Sequence, residues 1–419
     1  MSTQPTRHKP RIGILYDGGS ASPVDIFKAS RRLCEPVFVV DRDPAEAGTA
    51  AVPGDFVNLA GTDHASAAKI LRDLGVEHII TFSDRQLVRT AEIAAAAGYR
   101  FLSIASATAC RDKLVQRRTL AEAGVDAVRS AALDDLAELP AVVREVGLPV
   151  VVKPREGAGS VDTVRLDTVA EAERWSAEQA ERIATVPGTF RDFVVEELLV
   201  GDSTYAGPDF GDFLSVESVV QGTSIRHLCV TGKFPLTPPF RECGLFVPST
   251  AAADVEERCR ELAEAAIQAL GIDLGVVHTE IKLTPTGLRI IEVNGRPPGY
   301  MTELLRRASG GRYDMTAAAL RMALGLPTDL PTLLDQVTYV YFVQPPQDAT
   351  RLVSIGEPDA VAPIPNVRRY QAFVEAGAPI DWRWGTSGHI GLILGEAADH
   401  QAALTDIDTA LKALRIMYA

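Results

Sequence analysis

Short apolar runs alternate with amphipathic helical stretches from residue 11 to about residue 105. This β-α-β rhythm predicts a parallel sheet with helices on both faces. The expected strands are RIGILYD, PVFVVD, DFVNL, VEHIITFSD and RFLSI, and the expected helices cover 23–33, 65–74 and 86–97.

The turn after the first strand is glycine-rich and reads Asp17-Gly18-Gly19-Ser20. It does not match the GxGxxG pattern of dinucleotide-binding folds. A loop at the carboxyl end of a parallel strand often faces a ligand. Gly18 and Gly19 are therefore candidate substrate contacts, and a plain tight turn is the alternative.

A second pattern combines a helix, a buried strand and a glycine loop. Residues 107–124 are predicted as one helix, with Asp112, Lys113 and Arg117 on its early turns. The apolar strand 150–152 then delivers Lys153, and a return strand covers 163–166. Between them lies the loop Gly157-Ala158-Gly159-Ser160, whose backbone N–H groups suit a close approach to an anion. The arrangement predicts a hairpin that covers phosphates, although such a hairpin also occurs as plain structure and GxxxxGK[ST] is absent.

The middle of the chain reads as strands and two long helices. A helix is expected at 169–183, and the strand FVVEELLVGD (193–202) carries Glu196 and Glu197 into a glycine turn where the edge of a purine can be read. Residues 202–212 look like an inserted loop. Glu217 follows in the strand FLSVESVV, facing either a cleft or water. Further helices are expected at 255–271 and 302–325, and short strands with a final helix (399–414) follow from about residue 330.

The most informative stretch is GVVHTEIKLTPTGLRIIEVNGRPPG, residues 275–299. It predicts two strands joined by a three-residue loop, 285–287, with Gly287 at positive φ. That register places Glu280 opposite Glu292 and His278 opposite Asn294. Two carboxylates about 4 Å apart repel by about 4 kcal/mol at an effective dielectric near 20, so a cation is expected between them. Carboxylate and amide oxygens suit Mg²⁺, and an exposed hairpin with both glutamates in water is the alternative.

Composition limits the classes of partner. The 419 residues include 42 basic and 55 acidic ones, for a net charge of −13, which argues against nucleic-acid or anionic-membrane binding by a basic surface. Five scattered cysteines without zinc spacing fit a reducing cytoplasm. The start MSTQPTRHKPRIGILYDGG is not expected to be a secretory signal, and no run approaches transmembrane length.

Taken together, these motifs resemble the ATP-grasp superfamily, in particular its carboxylate–amine ligase branch with the L-amino acid ligases. The resemblance rests on RDKLVQRRTLAEAG, PVVVKPREGAGSVDTVRL, FVVEELLVGD, LSVESVV and the 275–299 stretch. It implies an α/β and α+β protein with three parts. These are a Rossmann-like N-terminal domain (1–105), a two-lobed ATP-grasp clamp (106–328, small lobe about 125–195, large lobe about 196–328) and a small α+β C-terminal unit (329–419).

The resemblance also implies roles for individual residues. Lys113, Lys153 and the 157–160 loop would contact the ATP phosphates, and Glu196 with Glu197 would border the adenine and ribose. Two Mg²⁺ ions, with Mn²⁺ as an alternative, would be held by Glu280, Glu292 and Asn294. Arg296 would stabilise an acyl phosphate and the following tetrahedral intermediate, and Lys153 would assist catalysis.

The implied chemistry joins a small carboxylate, such as an amino acid, to an amine, with release of ADP and phosphate. Candidate substrate contacts are Gly18, Gly19, Glu217, Glu242, His278 and Arg296. Two departures limit the parallel: the 202–212 insertion, and Leu245 at the place in FRECGLFVPS where the ligases often have His. A biotin-carboxylase-like, bicarbonate-activating enzyme and a catalytically silent ATP-binding regulator remain as rivals. A homodimer is also compatible with the family.

Overall fold

The N-terminal unit is a parallel sheet in the order β3-β2-β1-β4. The structure is a computed structural model and describes residues 9–42 and 52–419; the first eight residues, part of the segment considered for a secretory signal, lie outside this range. Neighbouring side chains of each strand enter different cores, as Ile14 and Leu15 do, so the sheet is buried on both faces. Its elements are β1 (Arg11–Leu15), α1 (Pro23–Ser30), β2 (Glu35–Val40), β3 (Asp55–Asn58), α2 (His64–Asp73), β4 (Val76–Thr81) and α3 (Leu87–Ala97).

Two sequence predictions fail between this unit and the next. The run RFLSI forms no strand in the structure; residues 100–103 lead directly into a helix that begins at Ile104. The helix expected over 107–124 is two helices, α4 (Ile104–Arg111) and α5 (Lys113–Glu122). Asp112 separates them because it takes an extended backbone, and its carboxylate accepts hydrogen bonds from the N–H groups of Leu114 and Val115. This is the geometry of a helix N-cap.

A second, antiparallel sheet has the order β5-β8-β6-β7. Two helices cover one core that includes Val152 of the strand ending near Lys153. This sheet corresponds to the predicted small lobe. Its elements are β5 (Ser130–Leu133), α6 (Leu139–Val146), β6 (Val150–Pro154), β7 (Val164–Leu166), α7 (Val169–Thr185) and β8 (Phe193–Glu197).

The largest sheet has eight strands in the order β13-β12-β9-β10-β11-β14-β17-β16. Its C-terminal strands β14, β16 and β17 continue the sheet that begins with the glutamate hairpin, so the C-terminal unit shares a sheet with the large lobe. The elements of this part of the chain, in which β15 and β18 lie outside the eight-stranded sheet, are β9 (Phe213–Gln221), β10 (Ser224–Lys233), β11 (Gly244–Val247), α8 (Ala253–Ala269), β12 (Leu274–Thr284), β13 (Gly287–Asn294), α9 (Met301–Ala308), α10 (Met315–Ala323), β14 (Val337–Phe342), β15 (Leu352–Ser354), β16 (Val367–Ala372), β17 (Gly391–Ala397), α11 (His400–Leu414) and β18 (Met417–Tyr418).

The helix expected over 302–325 is interrupted. Gly310 and Gly311 both have positive φ, +63° and +80°, and therefore end α9 before α10 begins. The predicted fold class, mixed α/β and α+β, is confirmed. Across the described ranges, no helix combines the length and the apolar composition that crossing a lipid bilayer requires.

The glutamate hairpin has the predicted pairing but a different turn. Thr284 pairs with Gly287, so the loop has two residues and the predicted three-residue loop is wrong. A β-bulge between Glu280 and Ile281 then restores the register, and Glu280 lies opposite Glu292. Asp126 holds β13 beside the bulge by accepting hydrogen bonds from Arg289 Nε and the backbone N–H of Ile290, both at 2.6 Å. A bulge adds one residue to one strand, which gives the same pairing as a longer turn.

Candidate active site

One cavity of about 290 Å³ lies between the small-lobe sheet and the eight-stranded sheet. It collects nearly all of the residues that the sequence singles out, from six separate stretches of chain. The expected residues in its lining are Lys113, Lys153, Gly157, Gly159, Ser160, Glu196, Glu197, Glu217, Glu242, His278, Glu280, Glu292, Asn294 and Arg296.

Gly18 and Gly19 do not line this cavity, and their role as substrate contacts stays a prediction. A Cβ atom on Gly19 would lie 2.1 Å from the carbonyl oxygen of Phe82. The next residue, Ser20, donates its N–H to the same carbonyl at 2.9 Å. Gly19 thus allows two turns at the sheet edge to pack closely, which fits the alternative interpretation of this loop as a plain tight turn.

Each glutamate of the hairpin has a cationic partner. Glu292 Oε1 lies 3.1 Å from Lys113 Nζ. Glu280 Oε1 lies 3.1 Å from His278 Nε2 and 3.9 Å from Lys233 Nζ. Side-chain cations therefore offset part of the repulsion that the sequence predicts between the two carboxylates.

The donor set of the hairpin fits a magnesium ion shared with phosphates. Glu280, Glu292 and Asn294 present only oxygen ligands and border the same cavity as the glycine loop. In the described ranges, no three His, Cys, Asp or Glu side chains form a complete ligand group by themselves. Mg²⁺ usually keeps water and substrate phosphate oxygens besides one or two carboxylates, so the hairpin residues suit it.

Below the cavity, Lys153 belongs to a buried ion network. Its Nζ lies 2.9 Å from Glu196 Oε2, and Arg117 donates to both oxygens of Glu196 at 3.0 and 2.9 Å. Burial alone would raise the pKa of Glu196, but Arg117 and Lys153 lower it to about 2. Burial lowers the pKa of Lys153. The carboxylate of Glu196 thus fixes Lys153 in position.

The sequence predicts Arg117 on a helix but does not indicate its ion pair with Glu196. Its guanidinium also donates to the carbonyls of Ile290 and Ile291, both at 2.7 Å. It therefore ties the small lobe to the bulged strand β13. Glu197 is held separately, since its carboxylate accepts hydrogen bonds from the backbone N–H and Nε of Arg129 at 2.9 and 3.0 Å.

The glycine loop is held from two sides. Lys113 Nζ donates to the carbonyl of Gly157 at 2.7 Å. On the other side, the N–H of Thr386 donates to the carbonyl of Gly159 at 2.7 Å. Thr386 belongs to a 3₁₀ segment, Trp382–Gly388, in the C-terminal unit. The C-terminal 3₁₀ segment therefore holds the glycine loop by a hydrogen bond, a contact that the sequence does not indicate.

Arg296 is oriented by Asp84, which the sequence analysis did not single out. The Nε atom of Arg296 lies 2.9 Å from both carboxylate oxygens, and Nη2 lies 2.8 Å from Oδ2. Burial would raise the pKa of Asp84, but Arg296 lowers it. The signal was present: Asp84 follows strand β4 at the carboxyl edge of a parallel sheet, where ligands bind in open α/β folds.

The predicted substrate contacts Glu217, His278 and Glu242 belong to a row of alternating charges in the cavity. Glu217, fully buried, accepts from His278 Nδ1, with both oxygens at 2.9 Å. Burial opposes protonation of His278, but Glu217 and Glu280 raise its pKa to about 9. The two carboxylates therefore favour the protonated form of His278. Glu242 lies 3.0 Å from the buried Lys233, a partner that the sequence did not indicate.

Comparisons with known proteins identify part of the chain. Residues 146–302 match the family model of the ATP-grasp domain. The chain is 27% identical over 279 residues to the alanine–anticapsin ligase of Bacillus subtilis, an alignment that covers 64% of this chain. It spans 58% of that relative, which is less than two thirds of its length.

Solved structures share the fold over nearly the whole chain. The L-amino acid ligase of Bacillus licheniformis superposes with a TM-score of 0.77 at 20% identity, covering 99% of this chain and 100% of that one. The biotin carboxylase domain of the Hydrogenobacter thermophilus 2-oxoglutarate carboxylase gives 0.66 at 15% identity, covering 97% and 90%. At these identities the likeness concerns the fold.

Proposed function

Because residues 146–302 form an ATP-grasp domain, we propose that this chain is an ATP-dependent carboxylate–amine ligase. The observation that carries the proposal is the meeting of two groups in one cavity. Lys113, Lys153 and the 157–160 loop provide a phosphate side, and the glutamate hairpin with Arg296 provides a carboxylate side. The acid is an amino acid or a similar small carboxylate.

The chemistry proceeds in two balanced steps. An oxygen of the carboxylate attacks the γ-phosphorus of ATP, the bond to the bridging oxygen breaks, and ADP leaves. The neutral amine then attacks the carbonyl carbon of the acyl phosphate, and the carbon–oxygen bond to phosphate breaks. The amine proton passes to the departing phosphate, and the product is an amide or peptide.

Each step needs charge neutralisation more than covalent help. Lys113 and Lys153 neutralise phosphate oxygens, and the glycine loop excludes water above them. Arg296, fixed by Asp84, stabilises the acyl phosphate and the oxyanion of the tetrahedral intermediate. Two Mg²⁺ ions, or Mn²⁺ in their place, would be held by Glu280, Glu292 and Asn294 and would polarise the γ-phosphate. Glu196 and Glu197 border the nucleotide, and Glu217, Glu242 and His278 border the substrate.

Activity would depend on small molecules and on no nucleic acid or membrane. The net charge of −13 disfavours a general polyanion-binding surface, and Lys113, Lys153 and Arg296 provide local positive charge in the cavity. All five cysteines carry free, buried thiols, which supports a reducing compartment such as the cytoplasm. A homodimer is compatible with this proposal.

A screen of amino-acid pairs for phosphate release, with mass spectrometry of the products, tests the proposal. We expect release of ADP and phosphate only when both an acid and an amine are present. AMP and pyrophosphate as products would overturn it. ATPase activity that depends on bicarbonate and needs no amine would indicate a biotin-carboxylase-like enzyme, and tight ATP binding without any product would indicate a silent regulator.

A further inference from the structure

A second cavity of about 300 Å³ lies behind Tyr300. We call it the aromatic cavity and define it by Tyr300, Phe373, Val374, Ile380, Trp384 and His389. Tyr300 also lines the active-site cavity, so its ring stands between the two spaces. It follows Arg296 by only four residues, which joins the aromatic cavity to the carboxylate side of the site.

The lining of the aromatic cavity is uncharged. Among the described residues, its lining contains no Asp, Glu, Lys or Arg side chain. Burial lowers the pKa of His389 to about 4, so this imidazole is neutral at pH 7. Its Nδ1 lies 3.2 Å from the carbonyl of Gly391 and its Nε2 lies 3.0 Å from the hydroxyl of Tyr300. Both ring nitrogens are thus already engaged, and an occupant would gain mainly from apolar contact.

The aromatic rings around Tyr300 form a fixed wall. Tyr300 packs on Phe342 with ring centroids 4.7 Å apart, and Phe342 stacks on His389 at 5.0 Å. Phe373 lies edge-on to His389 at 5.1 Å. Tyr300 has φ of +62°, a left-handed conformation that is unusual for a residue with a side chain. These contacts hold its ring at the boundary despite the unfavourable backbone.

The mouth of the aromatic cavity faces solvent. Phe373 is 45% exposed and Trp384 is 47% exposed at its rim. In contrast, the phosphate side of the active site lies under the glycine loop, which Thr386 holds in place. The aromatic cavity is therefore accessible from solvent at its rim and borders the active-site cavity at Tyr300.

The volumes of the two cavities also indicate that part of a substrate binds outside the active-site cavity. The active-site cavity, at about 290 Å³, is at the low end of cavities that hold one drug-sized ligand. It must accommodate nucleotide phosphates and the reacting carboxylate. A large side chain on a further substrate needs additional space, which the aromatic cavity offers.

We propose that the aromatic cavity binds the side chain of the amine substrate, and that this side chain is large and apolar, with aromatic rings preferred. The inference rests on the ligase activity proposed above. The amine nitrogen would reach past Tyr300 to the acyl phosphate at Arg296 while its side chain stays among Phe373, Ile380 and Trp384.

The test uses amines that cannot serve as the acid. L-phenylalaninamide and glycinamide have blocked carboxyl groups, and each is assayed with the best acid from the phosphate-release screen. Val374→Trp fills the aromatic cavity from a half-buried position. Val353→Trp adds the same side chain at a site 43% exposed on β15 and outside both cavities.

We expect kcat/KM of the wild type to favour L-phenylalaninamide over glycinamide by at least about tenfold. Val374→Trp should reduce this preference at least about tenfold, and Val353→Trp should preserve it. Phe373→Ala, at the exposed rim, gives a second test of the same preference if Val374→Trp does not fold. A wild-type preference for glycinamide, or an unchanged preference in a folded Val374→Trp or Phe373→Ala protein, would overturn the inference.

A binding measurement separates failure of this inference from failure of the ligase proposal. Saturation-transfer NMR detects L-phenylalaninamide on the protein without any turnover. Binding to the wild type and Val353→Trp but not to Val374→Trp supports the subsite even if no acid is ever ligated. Absence of binding to the wild type, or equal binding to all three proteins, contradicts it.

Discussion

The guanidinium of Arg117 grips both carboxylate oxygens of Glu196 in the buried layer beneath the active-site cavity, at 3.0 and 2.9 Å. Lys153 approaches the same carboxylate at 2.9 Å. One buried anion therefore balances two buried cations, and one of those cations, Lys153, is proposed to contact the ATP phosphates. Removing the anion would leave two nearly buried positive charges without their partner.

Glu196→Gln should destabilise the protein by about 3–5 kcal/mol at pH 7. The pKa of Glu196 is about 2 in the folded protein and 4.5 as its ordinary value. Its contribution is therefore fully present above about pH 4.5 and is lost as the pH falls towards 2. Urea unfolding at a series of pH values should show a shallower acid dependence for Glu196→Gln than for the wild type. The exposed Glu261→Gln serves as control, and parallel pH curves for all three proteins would refute the role given to Glu196.

Asp84→Asn should lower turnover while leaving the nucleotide bound. The amide keeps the shape of the carboxylate but loses the charge that orients Arg296. Because Arg296 is expected to act on the acyl phosphate, kcat should fall about tenfold or more, with KM for ATP changed less than about twofold. Asp329→Asn, an exposed aspartate, is the matched control. A raised KM for ATP with unchanged kcat would show that Asp84 serves nucleotide binding instead.

Gly385→Ala should release the glycine loop. Gly385 has φ of +63°, and a Cβ atom there would lie 2.1 Å from the carbonyl of Gly159. KM for ATP should rise about fivefold or more, and proteolysis of the 155–162 segment should become faster. Gly325→Ala provides the control, since Gly325 has φ of +70° with nothing within 4 Å of its Cβ position. If both variants lose only stability, the contact between the 3₁₀ segment and the glycine loop has no part in loop closure.

One glycine inserted between Thr286 and Gly287 should be tolerated. The bulge beside Glu280 and the hydrogen bonds of Asp126 to β13 fix the register, so the longer turn should leave Glu280 opposite Glu292. Turnover should stay within about twofold and the free energy of unfolding within about 1 kcal/mol of the wild type. Loss of activity in a folded insertion variant would show that the turn itself sets the pairing.

The sequence predicted the pairing of Glu280 with Glu292, although the turn behind it was wrong. Residue patterns indicate which side chains share a face, but a bulge is set by contacts with distant residues. Asp126 lies more than 160 residues before the strand that it holds. No local pattern reports such a contact.

For the same reason, the sequence does not indicate which residues form ion pairs with Lys153 and Arg296. Lys153 and Arg296 stood out because each ends or follows a strand near glycine or proline. Glu196, the partner of Lys153, lies on the neighbouring strand β8 of the same sheet, and Asp84, the partner of Arg296, comes from the N-terminal unit. Each pair is distant along the chain, and only the tertiary structure brings its members together. Gly19 shows the converse, because a glycine turn that packs closely on Phe82 has the same sequence pattern as a ligand-binding loop.

In the proposed reaction, the carboxylate of the acid substrate is activated by phosphoryl transfer in the cavity of Glu292 and Arg296. The most direct measurement follows oxygen-18 from a labelled carboxylate substrate into the products by mass spectrometry. We predict one labelled oxygen in the released phosphate and none in the nucleotide, with transfer abolished in Glu292→Ala and retained in Glu261→Gln. Label recovered in AMP, or phosphate released without label, would contradict phosphoryl transfer to the carboxylate.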